Sequence, residues 1–286
     1  MVAPPPRPVE PGLHVVSTPI GDLRDITLRA LDVLAGADLV LAEDTRVAAR
    51  LLSAHGIKAR VERYDDHTGA EQRPHVLQRL RDGASVALTT DAGTPLVSDP
   101  GYRLVREAAA EGLRVHPVPG ASAVLAALAV AGLATDRFLF AGFPPPRPAG
   151  RRALFEELAG VRATLVFYES GPRLRASLED MAAVFGAREA AVARELTKLH
   201  ETCVRGALPE LAVHPDLDAP RGEIVVLVAP GEAQTATPAD ADTALAEALA
   251  RMGPAEAAAE VSRALGLPRR DLYRRALALK GVGASG

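Results

Sequence analysis

"TTDAGTPLVSDPG" occupies residues 89–101, between the apolar run "SVAL" at 85–88 and "YRLVREAAAEG" at 102–112, whose spacing predicts a helix over 102–111. The stretch is read as the turn at which a buried strand hands over to a helix. Aspartate, glycine, proline and small hydroxyl residues crowd into it. Glycine lets backbone come close to a ligand, proline fixes the approach, and Asp91 and the hydroxyls can hydrogen-bond. The turn is expected to belong to a ligand site.

The same handover recurs along the first half. "LHVVSTP" (13–19), "DLVLAED" (38–44) and "LRVHPVP" (113–119) read as further strands, with helices predicted over 25–34, 46–54 and 71–81. Runs that are apolar throughout suit strands covered on both faces, so a mostly parallel α/β sheet is expected. After "SAVLAALAVAG" (122–132) the chain begins again with "RFLFAGF", "TLVFYES", "EAAVARE", "ETCVRGAL" and "GEIVVLVAP", which predict a second, more mixed sheet. "PPPRPAGRR" (144–152) reads as a surface loop. Beyond the linker "PGEAQTATPAD" (230–240), helical spacing returns at 244–252, 255–266 and 268–280. The expected organisation is a disordered leader over 1–12, α/β domains over 13–120 and 121–230, and a helical tail over 240–286, with a cleft between the α/β domains.

Composition bounds the function. The 286 residues carry 33 Lys+Arg against 36 Asp+Glu, a net charge of -3, so any nucleic-acid contact needs a local basic patch. One cysteine, Cys203, leaves no internal disulfide and no cysteine-rich zinc cluster and fits a reducing compartment. No apolar run approaches the roughly 20 residues that cross a bilayer. The proline-rich "MVAPPPRPVEPG" does not suit a signal peptide. A cytoplasmic protein with no membrane partner is expected.

Three turns are built alike from proline, glycine and small or acidic residues, namely "TPIG" (18–21), "DAGTP" (91–95) and "PGASA" (119–123). In open α/β sheets ligands bind beyond the carboxyl ends of the strands, so all three are expected on one ligand-bearing edge, although each taken alone is also an ordinary cap or tight turn. No G-x-x-x-x-G-K-[ST] phosphate loop, no G-x-G-x-x-G and no G-x-S-x-G is present. The seven histidines form no H-E-x-x-H arrangement, and no metal is expected. "LAEDTR" (41–46) brings Glu43, Asp44 and Arg46 to a strand end, where they either orient a polar substrate and hold a base or simply cap the next helix. "ARELTKLHE" (193–201) leaves the same choice open for Arg194, Glu195 and Lys198.

Taken together, "VVSTPIGDLRDITLRALDVLAGADLVLAEDTR", "DAGTPLVSDPGYRLV", "PVPGASAVLAALAVAGLATDRFLFAGF", "LVFYES", "VARELTKLHE" and "RGEIVVLV" closely resemble the ribosomal RNA small subunit methyltransferase I family of the tetrapyrrole methylase superfamily, in order, from residue 13 to 228. The resemblance implies two α/β domains binding S-adenosylmethionine between them, a homodimer, and methyl transfer to the 2′-hydroxyl of a cytidine in small-subunit (16S) ribosomal RNA, free or in the assembled subunit. By motif it implies cofactor contacts at Pro19, at Asp91, Ala92, Gly93, Thr94, Pro95 and Val97, at Ser122 and Ala123, and at Tyr168, Leu196 and Glu223.

Two departures stand out. "YESGPR" puts Gly171 and Pro172 where the family usually has proline and histidine, and "RYDDHT" (63–68) keeps only Tyr64 and His67 of a more usual "SYHEHN". A sulfonium methyl is already activated, so the site needs chiefly an in-line approach and a base. Glu43, Asp44, Glu195 and Lys198 are the candidates for the proton transfer. The tail carries Arg269, Arg270, Arg274, Arg275 and Lys280 on a predicted helix that only Asp271 opposes. These arginines and Arg46 are the expected RNA contacts, extended by those of 144–152, with a plain solvated helix as the alternative. Two other readings are a superfamily methylase acting on a tetrapyrrole or protein, and a non-catalytic RNA-binding module.

Overall fold

Alternate residues of a strand point to opposite faces, and both faces of the first sheet are apolar. Leu39, Leu41, Val86 and Leu88 pack with Val76, Leu77, Leu80, Leu104 and Ala108 on one side, whereas Val40 and Ala87 pack with Ala30, Val33, Leu34, Leu51 and Leu52 on the other. The strands are β1 (Gly12–Val16), β2 (Leu39–Ala42), β3 (Val61–Arg63), β4 (Ser85–Leu88) and β5 (Val115–Val118), all parallel, in the order β3-β2-β4-β1-β5. The covering helices are α1 (Leu28–Gly36), α2 (Thr45–Ala54), α3 (Gly69–Arg81) and α4 (Tyr102–Ala110). Asp25 lies in a short 3-10 turn, Leu23–Asp25, rather than in α1, because Thr27 caps α1 by accepting from the Ala30 N–H.

The computed structural model describes residues 8–65, 68–97, 100–218, 220–231 and 238–282. Most of the expected leader, His67 and most of the 230–240 linker lie outside these residues.

Helix α5 (Ala123–Ala131) follows the turn after β5 and buries Val124, Ala127, Leu128 and Ala131 against the second sheet. That sheet comprises β6 (Phe138–Phe140), β7 (Thr164–Ser170), β8 (Glu189–Arg194), β9 (Thr202–Ala207) and β10 (Glu223–Val228), ordered β6-β7-β10-β8-β9. Only β6 and β7 pair parallel, so it is the mixed sheet expected. Helices α6 (Pro148–Leu158) and α7 (Gly171–Phe185) bring Phe155 and Phe185 together, and Phe155 meets Phe167 of β7 edge-on. A short helix, α8 (Leu208–Ala212), follows β9.

Both sheets fall in one compact unit, which includes residues 163–230. A second unit contains α9 (Pro238–Leu249), α10 (Pro254–Leu265) and α11 (Arg269–Val282). Its core is small and alanine-rich, with Leu245, Val261 and Leu272 as the larger members. Gly266 ends α10 in the left-handed conformation at φ 67°, and Pro268 precedes α11. Among the described residues no helix is long and apolar enough to cross a membrane.

The stretch 144–152 differs from expectation. Proline at the first helical position starts α6 at Pro148, so half of the expected surface loop is helix. Arg151 is 4% exposed and pairs with Asp180 of α7, as does Arg152. Arg151 is thus not left to a basic surface, whereas Arg147 and Arg152 remain exposed. Burial alone would raise the Asp180 pKa, but hydrogen bonds from Arg152 and Arg151 outweigh it and hold the carboxyl below its ordinary value. Asp180→Ala would strand a buried guanidinium and is expected to cost about 3–5 kcal/mol in urea unfolding at neutral pH. Because the folded pKa is depressed, this contribution is present above the ordinary carboxylate range and is lost as pH falls through the folded value.

Candidate active site

The order β2-β4-β1-β5 sets the turns "AEDTR", "TTDAGTP", "TPIG" and "PGASA" in one row at the carboxyl edge. They are stitched together. Thr18 N–H donates to the Gly93 carbonyl at 2.8 Å and Gly93 N–H returns to the Thr18 carbonyl at 3.1 Å. The Thr94 hydroxyl donates to the Ala121 carbonyl at 3.1 Å and lies 3.1 Å from Ser17 Oγ. Asp91 Oδ1 accepts the Asp44 N–H at 3.0 Å.

Against this row lies a cavity of about 420 Å³. Asp91, Ala92, Gly93, Thr94 and Val97 line it from the β4 turn, with Glu43, Ser122 and Ala123 beside them. Tyr168 and Glu223 face them from β7 and β10. Ser122 makes no capping hydrogen bond to α5, so capping does not account for its hydroxyl. Of the other expected contacts, Pro95 is buried, Leu196 sits in the apolar cluster with Ile20 and Val225, and Pro19 lines an adjoining cavity of about 770 Å³. The two cavities share Ile20, Asp91, Ala92 and Glu223.

Sequence reasoning did not single out Ile20, Phe143, Glu169, Ser170, Gly222, Ile224 or Val225, which also line the smaller cavity. Most lie inside the quoted motifs, so the motifs rather than individual residue types were the available signal. Phe143 is 56% exposed and stands edge-on to Tyr168 with ring centres 5.4 Å apart. Glu169 is buried; it accepts from the Ser170 N–H at 2.9 Å and the Ser177 hydroxyl, and pairs with Arg173 at 3.3 Å.

The four proton-transfer candidates separate. Asp44 caps α2 by accepting the Arg46 N–H at 2.8 Å, and the Arg46 guanidinium reaches the same carboxylate at 2.5 Å. Those hydrogen bonds hold the Asp44 carboxyl far below its ordinary pKa. The arrangement is the capping one, and Arg46 is engaged by its neighbour. Lys198 Nζ lies 2.9 Å from Glu195 Oε1 and 3.2 Å from Glu223 Oε2. Burial would lower the Lys198 pKa, but hydrogen bonds to these carboxylates raise it, so the ammonium stays charged. Glu195 is held low by Lys198 and by the Glu223 N–H. Glu43 alone of the four lines the smaller cavity.

The loop carrying Glu195 and Lys198 has non-glycine residues at positive φ, Glu195 at 49° and Thr197 at 64°. Thr197 Oγ1 accepts the Asp22 N–H at 3.0 Å. Glycines receive the loop on both sides: a Cβ on Gly21 would stand 2.5 Å from Thr197 Oγ1, and one on Gly222 would stand 2.3 Å from Glu195 Oε1.

Over residues 12–212 the sequence matches the family described as Tetrapyrrole (Corrin/Porphyrin) Methylases, and over residues 235–280 the RsmI C-terminal HTH domain. It is 51% identical to Ribosomal RNA small subunit methyltransferase I of Mesorhizobium japonicum, across 99% of this chain and 97% of that one. The chain belongs to the ribosomal RNA small subunit methyltransferase I family. Its identity to the family member of Escherichia coli O157:H7 is 44%, across 94% of this chain and 96% of that one. Among solved structures, a diphthine synthase shares the fold with a TM-score of 0.58 at 18% identity, covering 76% of this chain and 89% of that one.

The helical unit of this family member carries exposed Arg269, Arg270 and Lys280 on α11. Two carboxylates oppose the set rather than one. Asp271 pairs with Arg274 at 2.7 Å, as expected, and Asp242 of α9 pairs with Arg275 at 3.1 Å. Both pairs are solvent-exposed and contribute little to stability.

Gly171 has a local reason in this chain. A Cβ there would lie 1.6 Å from the Pro220 carbonyl oxygen. The absent side chain lets the backbone at 220–222 pass beside Ser170, another lining residue. Gly171→Ala is expected to displace that backbone, destabilising the protein by about 1–3 kcal/mol. It should also weaken S-adenosylmethionine binding, read by calorimetric titration; unchanged stability and affinity would refute the close-approach account.

Proposed function

We propose that this chain transfers a methyl group from S-adenosylmethionine to the 2′-hydroxyl of a cytidine in small-subunit (16S) ribosomal RNA, with the smaller cavity as the donor site. The observation that carries the reading is the composition of that cavity's wall. Glycine backbone at Gly93 and Gly222 allows close approach, Glu43, Asp91 and Glu223 offer carboxylates to a cationic sulfur, and Ile20, Val225, Tyr168 and Phe143 supply apolar surface. The relatives named for small-subunit ribosomal RNA methylation support the acceptor class over the other methylases that share this fold.

When bound, S-adenosylmethionine supplies a sulfonium methyl that passes to the ribose oxygen while its bond to sulfur breaks and leaves a neutral thioether. The residues of this chain then have two tasks, to hold the reactants in line and to take the hydroxyl proton. Glu43 takes that proton in our reading, because of the four candidates it is the one that lines the donor cavity, and the lowered pKa values of Asp44 and Glu195 make them weaker bases. Lys198 acts as a positioning residue that fixes Glu223 at the boundary of the two cavities.

RNA contact by Arg269, Arg270, Arg274 and Arg275 belongs to the same proposal, since a basic helix grips phosphates without reading bases. So do a cytoplasmic location and a homodimer. The exposed apolar side chains Leu125 and Val130, on a helix apolar all round, support a covered outer face of α5.

Incubation with labelled S-adenosylmethionine and small subunits from cells lacking the protein should label one cytidine ribose; no labelling of subunits or of free 16S RNA would overturn the reading. Glu43→Gln should lower the single-turnover rate at saturating donor by about 10²–10⁴-fold. An unchanged rate would remove Glu43 from the proton-accepting role.

A further inference from the structure

We propose that the larger cavity is an acceptor chamber that takes one everted nucleotide, with Arg50 binding its phosphate at the rim and the Thr90 hydroxyl fixing its sugar or base. This rests on the donor-site reading above and names the acceptor side of the same site. The chamber has a volume of about 770 Å³ and meets the donor cavity at Ile20, Asp91, Ala92 and Glu223. Anything lodged in it therefore stands next to the donor.

Among the described residues, one hydroxyl in its wall has no hydrogen-bond partner and one guanidinium has no carboxylate. Thr90 is 6% exposed, and its Oγ1 is buried with no hydrogen-bond partner among the described residues. A buried hydroxyl without a partner is costly, and a ligand that supplies one repays the cost. Neighbouring hydroxyls are already engaged: Thr89 Oγ1 donates to the Leu41 carbonyl at 2.9 Å and Thr18 Oγ1 to the Thr90 carbonyl at 3.1 Å. Arg50 is exposed and has no carboxylate partner among the described residues. It stands one helical turn beyond Arg46, whose guanidinium Asp44 occupies. Among the described residues Arg50, rather than Arg46, is thus the cation of α2 at this edge without a carboxylate partner.

The rest of the wall suits a base. Leu23, Val47 and Leu51 offer an apolar face, and among the described residues no aspartate or glutamate lines the chamber besides Asp91 and Glu223, at the side shared with the donor cavity. Proteins reach single RNA nucleotides by splaying them out of the stack and packing the base on apolar surface. A nucleotide held in an A-form helix shows its 2′-hydroxyl on a shallow groove but cannot enter a recess of this kind; an everted one can.

The test uses the full-length protein with Arg50→Gln, Thr90→Val and Thr90→Ser, and Arg137→Gln as a control that removes an exposed charge with no assigned role. Methyl transfer to small subunits gives kcat and KM for RNA, anisotropy with labelled RNA gives affinity, and calorimetry gives donor affinity. Thr90→Val should weaken RNA binding and raise its KM about 3- to 10-fold, the usual loss for one hydrogen bond. Donor affinity should stay within about twofold, and Thr90→Ser should restore binding. Arg50→Gln should also lower the slope of log affinity against log salt by about 0.7, one single-strand phosphate contact, whereas Arg137→Gln should not. RNA affinity and KM within about twofold of wild type for both Arg50→Gln and Thr90→Val would overturn the chamber, as would a loss confined to donor affinity. Failure of the wild-type protein to methylate any small-subunit RNA would instead overturn the donor-site reading, and the anisotropy arm would still decide the chamber.

Discussion

The reciprocal pair of backbone hydrogen bonds between Thr18 and Gly93 is the constraint on which the site depends. It joins the turns after β1 and β4, neighbouring strands far apart in sequence, and makes one continuous edge from two loops. Thr94 extends the edge to Ala121 and Asp91 extends it to Asp44, so four turns are held by main-chain groups or by side chains one or two residues from a glycine. Gly93 takes φ 84°, which lets its N–H and carbonyl pair with Thr18 while its neighbours face the cavity. A turn built this way holds its shape before any ligand arrives.

The opposite wall is held by strain. Glu195 and Thr197 sit at positive φ, an arrangement that costs of order 1–3 kcal/mol per residue and persists only where surroundings over-determine it. Here the surroundings are Gly21 on one side and Gly222 on the other, each closed to a Cβ by this loop. The result is a wedge that carries Lys198 to Glu223 within the second sheet, at the boundary between the cavities, while Thr197 ties the same loop to the turn after β1 by accepting the Asp22 N–H.

Much of this was legible in the sequence. Uninterrupted apolar runs such as "LVLA" and "SVAL" announce strands covered on both faces, and a residue such as Val40 packs against α1 and α2 while Leu39 and Leu41 pack against α3 and α4. The turns that line the smaller cavity were legible because their residue types serve backbone approach, which is local. Pairings that depend on tertiary partners were not. Nothing near Arg151 in sequence announces Asp180, 29 residues on, so a proline- and arginine-rich segment read as loop. Arg46 and Arg50 look alike in sequence, and only the cap geometry of Asp44 shows that the first is engaged. The Gly171 departure became intelligible only when the Pro220 carbonyl was found where its side chain would be.

Charge explains why the two cavities should adjoin. The chain as a whole carries -3, so attraction to RNA has to be local, and a cationic donor and a polyanionic acceptor make opposite demands on one site. Carboxylates at Glu43, Asp91 and Glu223 suit the first demand, while Arg50 in the wall of the larger cavity suits the second. Asp91 and Glu223 lie at the shared boundary, the place where a phosphate would be repelled. Such a distribution orients a nucleotide with its phosphate outward and its uncharged sugar toward the donor, so discrimination between the reactants arises from where the charges stand and not from their sum.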